Sequence, residues 1–140
     1  MPASMRVLLV DDNPVDVRLL QEALAAQCQC EFVVRENGDE AYTYLEAEGR
    51  TVDLIVLDLN VPGKDGGDVL RLIRRTEHLR TAFVAVVSSS PKDVVASRAA
   101  EADCYLTKPL DLDEYARMGA EILDCYRSRG QARARGGAPC

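Results

Sequence analysis

Asp11-Asp12, Asp58, Ser88 and Lys108 each stand where a short apolar run ends. Arg6-Val7-Leu8-Leu9-Val10 leads into the acid pair, and Leu54-Ile55-Val56-Leu57 leads into Asp58. Phe83-Val84-Ala85-Val86-Val87 leads into Ser88, and Cys104-Tyr105-Leu106-Thr107 leads into Lys108-Pro109. If these runs are parallel strands of one sheet, their carboxyl ends converge on a single edge, where open α/β sheets bind ligands. Carboxylates, a hydroxyl and an ammonium then share one pocket. Such a pocket is a cation site beside an aspartate that can take a phosphoryl group.

Each feature has an ordinary explanation when taken alone. Adjacent acids after a strand can mark a helix start, since carboxylates favour the positive end of the helix dipole. Ser88-Ser89-Ser90-Pro91 can be a loop and a helix cap, and Lys108-Pro109 an exposed strand end. All of these would have to hold together at four strand ends, which makes the joint pattern far more specific than any member. Asp58 beside Asp11 and Asp12 builds a hard-oxygen site suited to Mg²⁺ or Mn²⁺ rather than zinc. Two like charges about 4 Å apart repel by on the order of 4 kcal/mol at an effective dielectric of 20, so the cluster calls for a cation. In that chemistry Asp58 is the nucleophile that forms an acyl phosphate. Lys108 holds a phosphoryl oxygen as a point charge, Ser88 donates to another, and the metal neutralises phosphoryl oxygens.

The elements that must position these groups alternate strand and helix, which predicts a parallel sheet with helices on both faces. After a first strand near 6–10, Asn13-Pro14 reads as an N-cap with proline at the first helical position. Val15, Leu19, Leu20, Ala23 and Leu24 form the expected apolar stripe of a helix ending near Gln27. A short mixed strand near 31–35 and the turn Asn37-Gly38 lead to a helix over about 39–48, with Ala41, Tyr44 and Leu45 inward and Gly49 stopping it. The run at 53–57 is almost wholly apolar, as a central strand covered on both faces should be. Turn residues fill 61–66, and a helix over about 67–76 carries Val69, Leu70, Leu72 and Ile73. A buried strand at 82–87, a helix near 91–101, a strand at 104–107 and a last helix capped by Asp111 or Asp113 and reaching about 127 complete the pattern.

Composition narrows the class. The 140 residues suit one domain, and 47% hydrophobic with 29% charged residues is ordinary for a globular chain. The expected division is a short N-terminal extension at 1–5, a folded unit at 6–128 and a basic, structureless tail at 129–140. No apolar stretch approaches the roughly 20 residues of a membrane span, and Met1-Pro2-Ala3-Ser4-Met5 lacks a signal-type apolar core, so the expected location is the cytoplasm. The net charge is −6, and the last fourteen residues hold Arg127, Arg129, Arg133 and Arg135 with no acid, leaving about −10 on residues 1–126. A body of that sign repels phosphate backbones, which excludes DNA binding by the folded part. The five cysteines form no metal pattern, because Cys28-Gln29-Cys30 is C-x-C without a second pair. Cys104 reads as a small core residue, and His78, the single histidine, reads as a surface residue.

Val10-Asp11-Asp12-Asn13, Leu57-Asp58-Leu59-Asn60-Val61-Pro62 with Asp65-Gly66, Val87-Ser88-Ser89 and Tyr105-Leu106-Thr107-Lys108-Pro109 together resemble the receiver domain of two-component response regulators. The resemblance covers roughly residues 5–127. It implies a flavodoxin-like, doubly wound (βα)5 sandwich whose five-stranded parallel sheet has the order 2-1-3-4-5. It also implies Asp58 as phosphoacceptor, Asp11 and Asp12 as organisers of Mg²⁺, and the backbone carbonyl of Asn60 as a further metal ligand. Lys108 becomes the phosphoryl-binding lysine, with a cis bond to Pro109, and Ser88 with Tyr105 the switch pair. Asp12-Asn13-Pro14-Val15-Asp16-Val17-Arg18-Leu19 and Ala102-Asp103-Cys104-Tyr105 are also similar to the single-domain regulators that accompany bacterial phytochromes. That similarity implies a sensor histidine kinase of the phytochrome type as partner. Gly63-Lys64 departs from the bulky residue common in the family before Asp65-Gly66.

Two other functions are weaker fits. A haloacid-dehalogenase-like phosphatase needs a second acid two residues after its nucleophile, and here that residue is Asn60. A dinucleotide-binding domain needs a glycine-rich turn where this chain has Asp11-Asp12-Asn13-Pro14. A non-signalling metal-binding module is the remaining alternative. The expected protein is therefore a signalling module whose only reactions are gain and loss of its own phosphoryl group. Its output is expected through protein contacts, including a homodimer across the fourth helix, fifth strand and fifth helix, to which Tyr115, Met118, Ile122 and Tyr126 would offer an apolar strip unless they pack the core.

Overall fold

In the computed structural model, residues 4–47, 51–63, 66–89 and 102–134 are described. Five strands form one parallel sheet: β1 (Met5–Val10), β2 (Cys30–Arg35), β3 (Leu54–Asp58), β4 (Phe83–Ser88) and β5 (Cys104–Thr107), in the order β2-β1-β3-β4-β5. This is the expected flavodoxin-like arrangement. The helices are α1 (Pro14–Ala25), α2 (Gly38–Glu46), α3 (Gly66–Arg75) and α4 (Glu114–Ala134), with a 3₁₀ turn at Glu77–Leu79 that carries exposed His78. The helix expected over 91–101, the stop at Gly49 and the loop residues Lys64 and Asp65 lie outside the described residues.

Alternation along the strands divides the core in two. Leu8, Val10, Ile55, Leu57, Val84 and Val86 point to one face and pack with Ala41 and Leu45 of α2 and Val69, Leu70, Leu72 and Ile73 of α3. Met5, Val7, Leu9, Leu54, Val56, Phe83, Ala85 and Val87 point to the other and pack with α1 and α4. Because successive side chains of a strand alternate faces, a nearly continuous apolar run is what a strand covered on both faces requires. β1, β3 and β4 meet that requirement. β2 and β5, at the sheet edges, are only half-buried.

Local signals start the helices as expected. Asn13 Oδ1 accepts the N–H groups of Val15 at 2.9 Å and Asp16 at 3.3 Å, ahead of Pro14 at the first turn. Asn37 Oδ1 accepts the Glu40 N–H at 2.8 Å at the start of α2. Gly63 has φ of +86°, in the left-handed region where only glycine is unstrained. The neighbouring Pro62 carbonyl accepts the Gly38 N–H at 2.9 Å, which ties the loop after β3 to α2.

The structure corrects three expectations about the helices. Val17, Leu20, Ala23 and Leu24 face the core from α1, whereas Val15 is 56% exposed. Apolar residues occur at both offsets, and the buried i, i+3, i+7 set is the one facing the sheet. On α4, Tyr115, Met118 and Ile122 are buried against the sheet, and half-buried Tyr126 packs edge-to-face on Phe83 with centroids 5.8 Å apart. That strip is core, not a docking face. Finally, α4 runs to Ala134, past the expected end near 127, so 129–134 of the expected structureless tail is helical; alanine and arginine are good helix formers.

Candidate functional site

The C-terminal ends of β1, β3 and β5 bring acid and base together as the topology requires. Asp11 follows β1, Asp58 closes β3, and Lys108 follows β5. One carboxylate oxygen from each of Asp11, Asp12 and Asp58 lies within 4.8 Å of the other two, with Asp11 and Asp58 buried and Asp12 exposed. Lys108 Nζ reaches Asp58 Oδ2 at 2.8 Å and Asp11 Oδ2 at 3.3 Å.

The two buried acids are oriented by the same device. Asp11 Oδ1 accepts the Asn13 N–H at 2.9 Å, and Asp58 Oδ1 accepts the Asn60 N–H at 2.8 Å. In each case a backbone amide two residues on holds one oxygen and leaves Oδ2 turned toward Lys108. Short polar side chains close such local turns readily. Lys108 is itself fixed at the main chain, where its N–H bonds to the Ser88 carbonyl at 2.9 Å.

Burial sets the electrostatics. Desolvation raises the Asp11 carboxyl above its ordinary 3.8, against the lowering effects of the Asn13 amide and the Lys108 charge; Asp58 and Asp16 push it further up. For Lys108 burial acts downward, but its bonds to Asp16 and Asp58 more than offset that, so its ammonium is held above the usual lysine range. An anionic edge of three carboxylate groups with hard oxygen donors fits a divalent cation such as Mg²⁺ or Mn²⁺, which would neutralise the repulsion among them.

The remaining expected residues take varied places. Ser88 is buried at the end of β4, in register with Thr107. Tyr105 is half-buried on β5 and packs against the core cluster beneath α2 and α3. Asn60 is exposed, and its side-chain amide donates to Ser89 Oγ at 3.0 Å, joining the loops after β3 and β4. The Lys108–Pro109 bond, expected cis, is trans, since no described peptide bond is cis; trans is the lower-energy isomer of an X–Pro bond by about 0.5–1 kcal/mol. Cys104, expected in the core, is half-buried, and burial with neighbouring Cys125 pushes its thiol up to about 12.

Two participants escaped the sequence reading. Asp16, in the first turn of α1, accepts Lys108 Nζ at Oδ2 (2.8 Å) and the Tyr115 hydroxyl of α4 at Oδ1 (2.8 Å). The available signal was its place one helical turn after the acid pair, facing the same edge. Burial and the Asp16 carboxylate hold the Tyr115 phenol above its ordinary value.

A family model for the response regulator receiver domain matches residues 7–118. The response regulator Rcp1 of Synechocystis is 36% identical over 120 residues, which cover 80% of this chain and 82% of that protein. The phosphorylated cyanobacterial phytochrome response regulator RcpA superposes with a TM-score of 0.81 at 36% identity, covering 91% of this chain and 96% of that one. The Mn²⁺-bound form of Rcp1 gives a TM-score of 0.71 at 32% identity, covering 84% of this chain and 91% of that one.

Proposed function

The chain belongs to the response regulator receiver domain family, and from that premise we propose that it accepts a phosphoryl group on Asp58 from a sensor histidine kinase. The observation that carries this reading is the meeting of the Asp11, Asp12 and Asp58 carboxylates with the Lys108 ammonium at one sheet edge.

An Asp58 carboxylate oxygen attacks phosphorus, the bond from phosphorus to the donor breaks, and the donor leaves with its electron pair. Asp11, Asp12 and Asp58, with the Asn60 backbone carbonyl, would hold a divalent cation, Mg²⁺ or Mn²⁺, which would supply positive charge against the phosphoryl oxygens. Lys108 supplies a fixed positive charge from the opposite side, 2.8 Å from Asp58 Oδ2. Ser88 donates its hydroxyl to a phosphoryl oxygen, and Tyr105 reports the change by moving inward, shifting a pre-existing equilibrium. The fit to a phosphatase is poor, because Asn60 stands where the general acid would be and a carboxamide is far too weak an acid to transfer a proton to a leaving group.

The output is a protein contact surface, and a homodimer across the helix expected at 91–101, β5 and α4 is one form of it, using the exposed side of α4 and not the buried Tyr115, Met118 and Ile122. The similarity to solved regulators named for phytochromes supports a phytochrome-type histidine kinase as the donor. Among the described residues no helix is long and apolar enough to cross a membrane.

Incubation with Mg²⁺ and acetyl phosphate followed by intact-mass measurement tests the central step. The native protein should gain one phosphoryl group, and Asp58→Asn or added chelator should abolish the gain. No gain in the native protein would sink the reading. Phosphotransfer rates from several purified histidine kinases test the partner, and chromatographic size with and without acetyl phosphate tests the dimer.

A further inference from the structure

We propose that Asp16, braced by Tyr115, is a positioning residue that keeps the Lys108 ammonium aimed at Asp58 while a divalent cation occupies the three-carboxylate cluster. The inference rests on the reading of Asp58 as phosphoacceptor and adds two residues to its machinery.

Lys108 Nζ has three carboxylate partners: Asp16 and Asp58 at 2.8 Å, and Asp11 at 3.3 Å. Two of these, Asp11 and Asp58, belong to the cluster that suits a divalent cation, whereas Asp16 does not. A bound cation draws on the charge of those two and repels the ammonium. A lysine on a flexible four-carbon stem would then swing away from the edge. Asp16 is the partner that remains.

Asp16 is itself held from two sides. Its backbone N–H donates to the capping Asn13 at 3.3 Å, and its Oδ1 accepts the Tyr115 hydroxyl at 2.8 Å. Tyr115 is buried in the core cluster beneath α1 and α4. Two helices packed on one face of the sheet therefore hold one carboxylate, and that carboxylate holds the lysine. When phosphorylation converts the Asp58 carboxylate into an acyl phosphate, the Lys108 contact there can pass to a phosphoryl oxygen while its contact to Asp16 stays.

The test compares phosphoryl uptake from acetyl phosphate at saturating Mg²⁺ in the native protein, Asp16→Asn, Tyr115→Phe, Lys108→Met and the Asp16→Asn/Lys108→Met double variant, with thermal melts to confirm folding. Misplacement of the lysine should slow Asp16→Asn about tenfold and Tyr115→Phe roughly threefold. Because Asp16 acts through Lys108, the double variant should be within about twofold of Lys108→Met. A native or faster rate in Asp16→Asn overturns the proposal, as does full additivity in the double variant, which is what a merely structural role gives. A second readout needs no phosphodonor: with Mg²⁺ alone, the Lys108 ammonium NMR signal should be resolved in the native protein and lost to exchange in Asp16→Asn. Absence of phosphoryl uptake by the native protein defeats the acceptor reading, whereas an unchanged ammonium signal in Asp16→Asn defeats the positioning role alone.

Discussion

Lys108 Nζ stands 2.8 Å from Asp58 Oδ2, although 50 positions of sequence and two strand crossovers separate the residues. The same ammonium reaches Asp11 at 3.3 Å, so a cation of the protein already sits against two of the three clustered carboxylates. Any added divalent ion has to share them. The site is thus a balance between one tethered charge and one exchangeable charge, set by the register of β1, β3, β4 and β5.

That balance predicts opposite effects on metal binding and on phosphoryl uptake when Lys108 is neutralised. Lys108→Met should tighten Mg²⁺ or Mn²⁺ binding about tenfold, since unit charges about 4 Å apart interact by several kcal/mol before screening. It should slow phosphoryl uptake on the order of a hundredfold, because among the described residues no other cation pairs with Asp58. Titration calorimetry with Mn²⁺ measures the first effect. Unchanged or weaker affinity would show that Lys108 does not compete for the carboxylates.

Asp11 supplies a pH-dependent companion. Its carboxyl titrates above the ordinary 3.8 because it is buried, so the folded protein binds this proton more tightly than the unfolded chain. Asp11 therefore favours folding below about pH 3.8, and that contribution fades as pH rises through its raised value. At pH 7 without metal, Asp11→Asn should raise Tm by on the order of 3 °C, since the amide keeps an acceptor for the Asn13 N–H and sheds a desolvated charge. In the native protein the Tm gain from Mg²⁺ should shrink as pH falls through the same titration. In Asp11→Asn that gain should be small at every pH. Scanning calorimetry over pH 4–8 checks both, and an Asp11→Asn protein less stable than native at pH 7 contradicts the assignment.

The residues that end strands were readable because strand and function share a signal there: an apolar run that stops at a charged group. Asp58, Asp11, Asp12 and Lys108 fall in that class. Asp16 does not, because its partners Lys108 and Tyr115 lie 92 and 99 positions away and meet it only after α1 and α4 pack on the same face. Tyr115 was hidden by its own nature. An amphipathic ring in an apolar helix stripe looks the same whether its hydroxyl faces water or a carboxylate. The inward face of α1 was ambiguous for a simpler reason, since Val15 and Val17 are both apolar and only the sheet decides between them.

At the opposite end of the sheet, Asp103 should matter for stability and not for the site. It precedes β5, pairs with Arg74 at 2.9 Å, accepts the Val84 N–H at 2.7 Å and contacts Arg129. Asp103→Ala leaves a buried amide and a largely buried guanidinium without this acceptor, which should cost about 2–4 kcal/mol. Denaturant unfolding measures that loss. Mn²⁺ affinity should stay within about twofold of native, because single-site effects far apart are usually independent. A parallel loss of metal binding would show that the two ends of the sheet are coupled.

The spacing of α1 and α4 offers the last test, because it sets where Asp16 and Tyr115 meet. A side chain at Gly119 of α4 would place its Cβ 2.6 Å from Ala23 Cβ and 3.3 Å from the Ala23 carbonyl carbon on α1. Neither atom lies at the end of a flexible side chain, so the helices themselves must move apart. Gly119→Ala gains up to about 1 kcal/mol of helix propensity, but overpacking at such a contact costs about 1–3 kcal/mol. The net result should be a loss of roughly 1–2 kcal/mol, a change opposite in sign to the one propensity alone gives. Ala23→Gly in the same chain removes the colliding methyl and should restore much of the lost stability, less the propensity cost of the new glycine on α1. Denaturant unfolding of the two single variants and the double variant measures the coupling. Gly119→Ala more stable than native, or no rescue by Ala23→Gly, would show that this contact does not set the distance between the two helices.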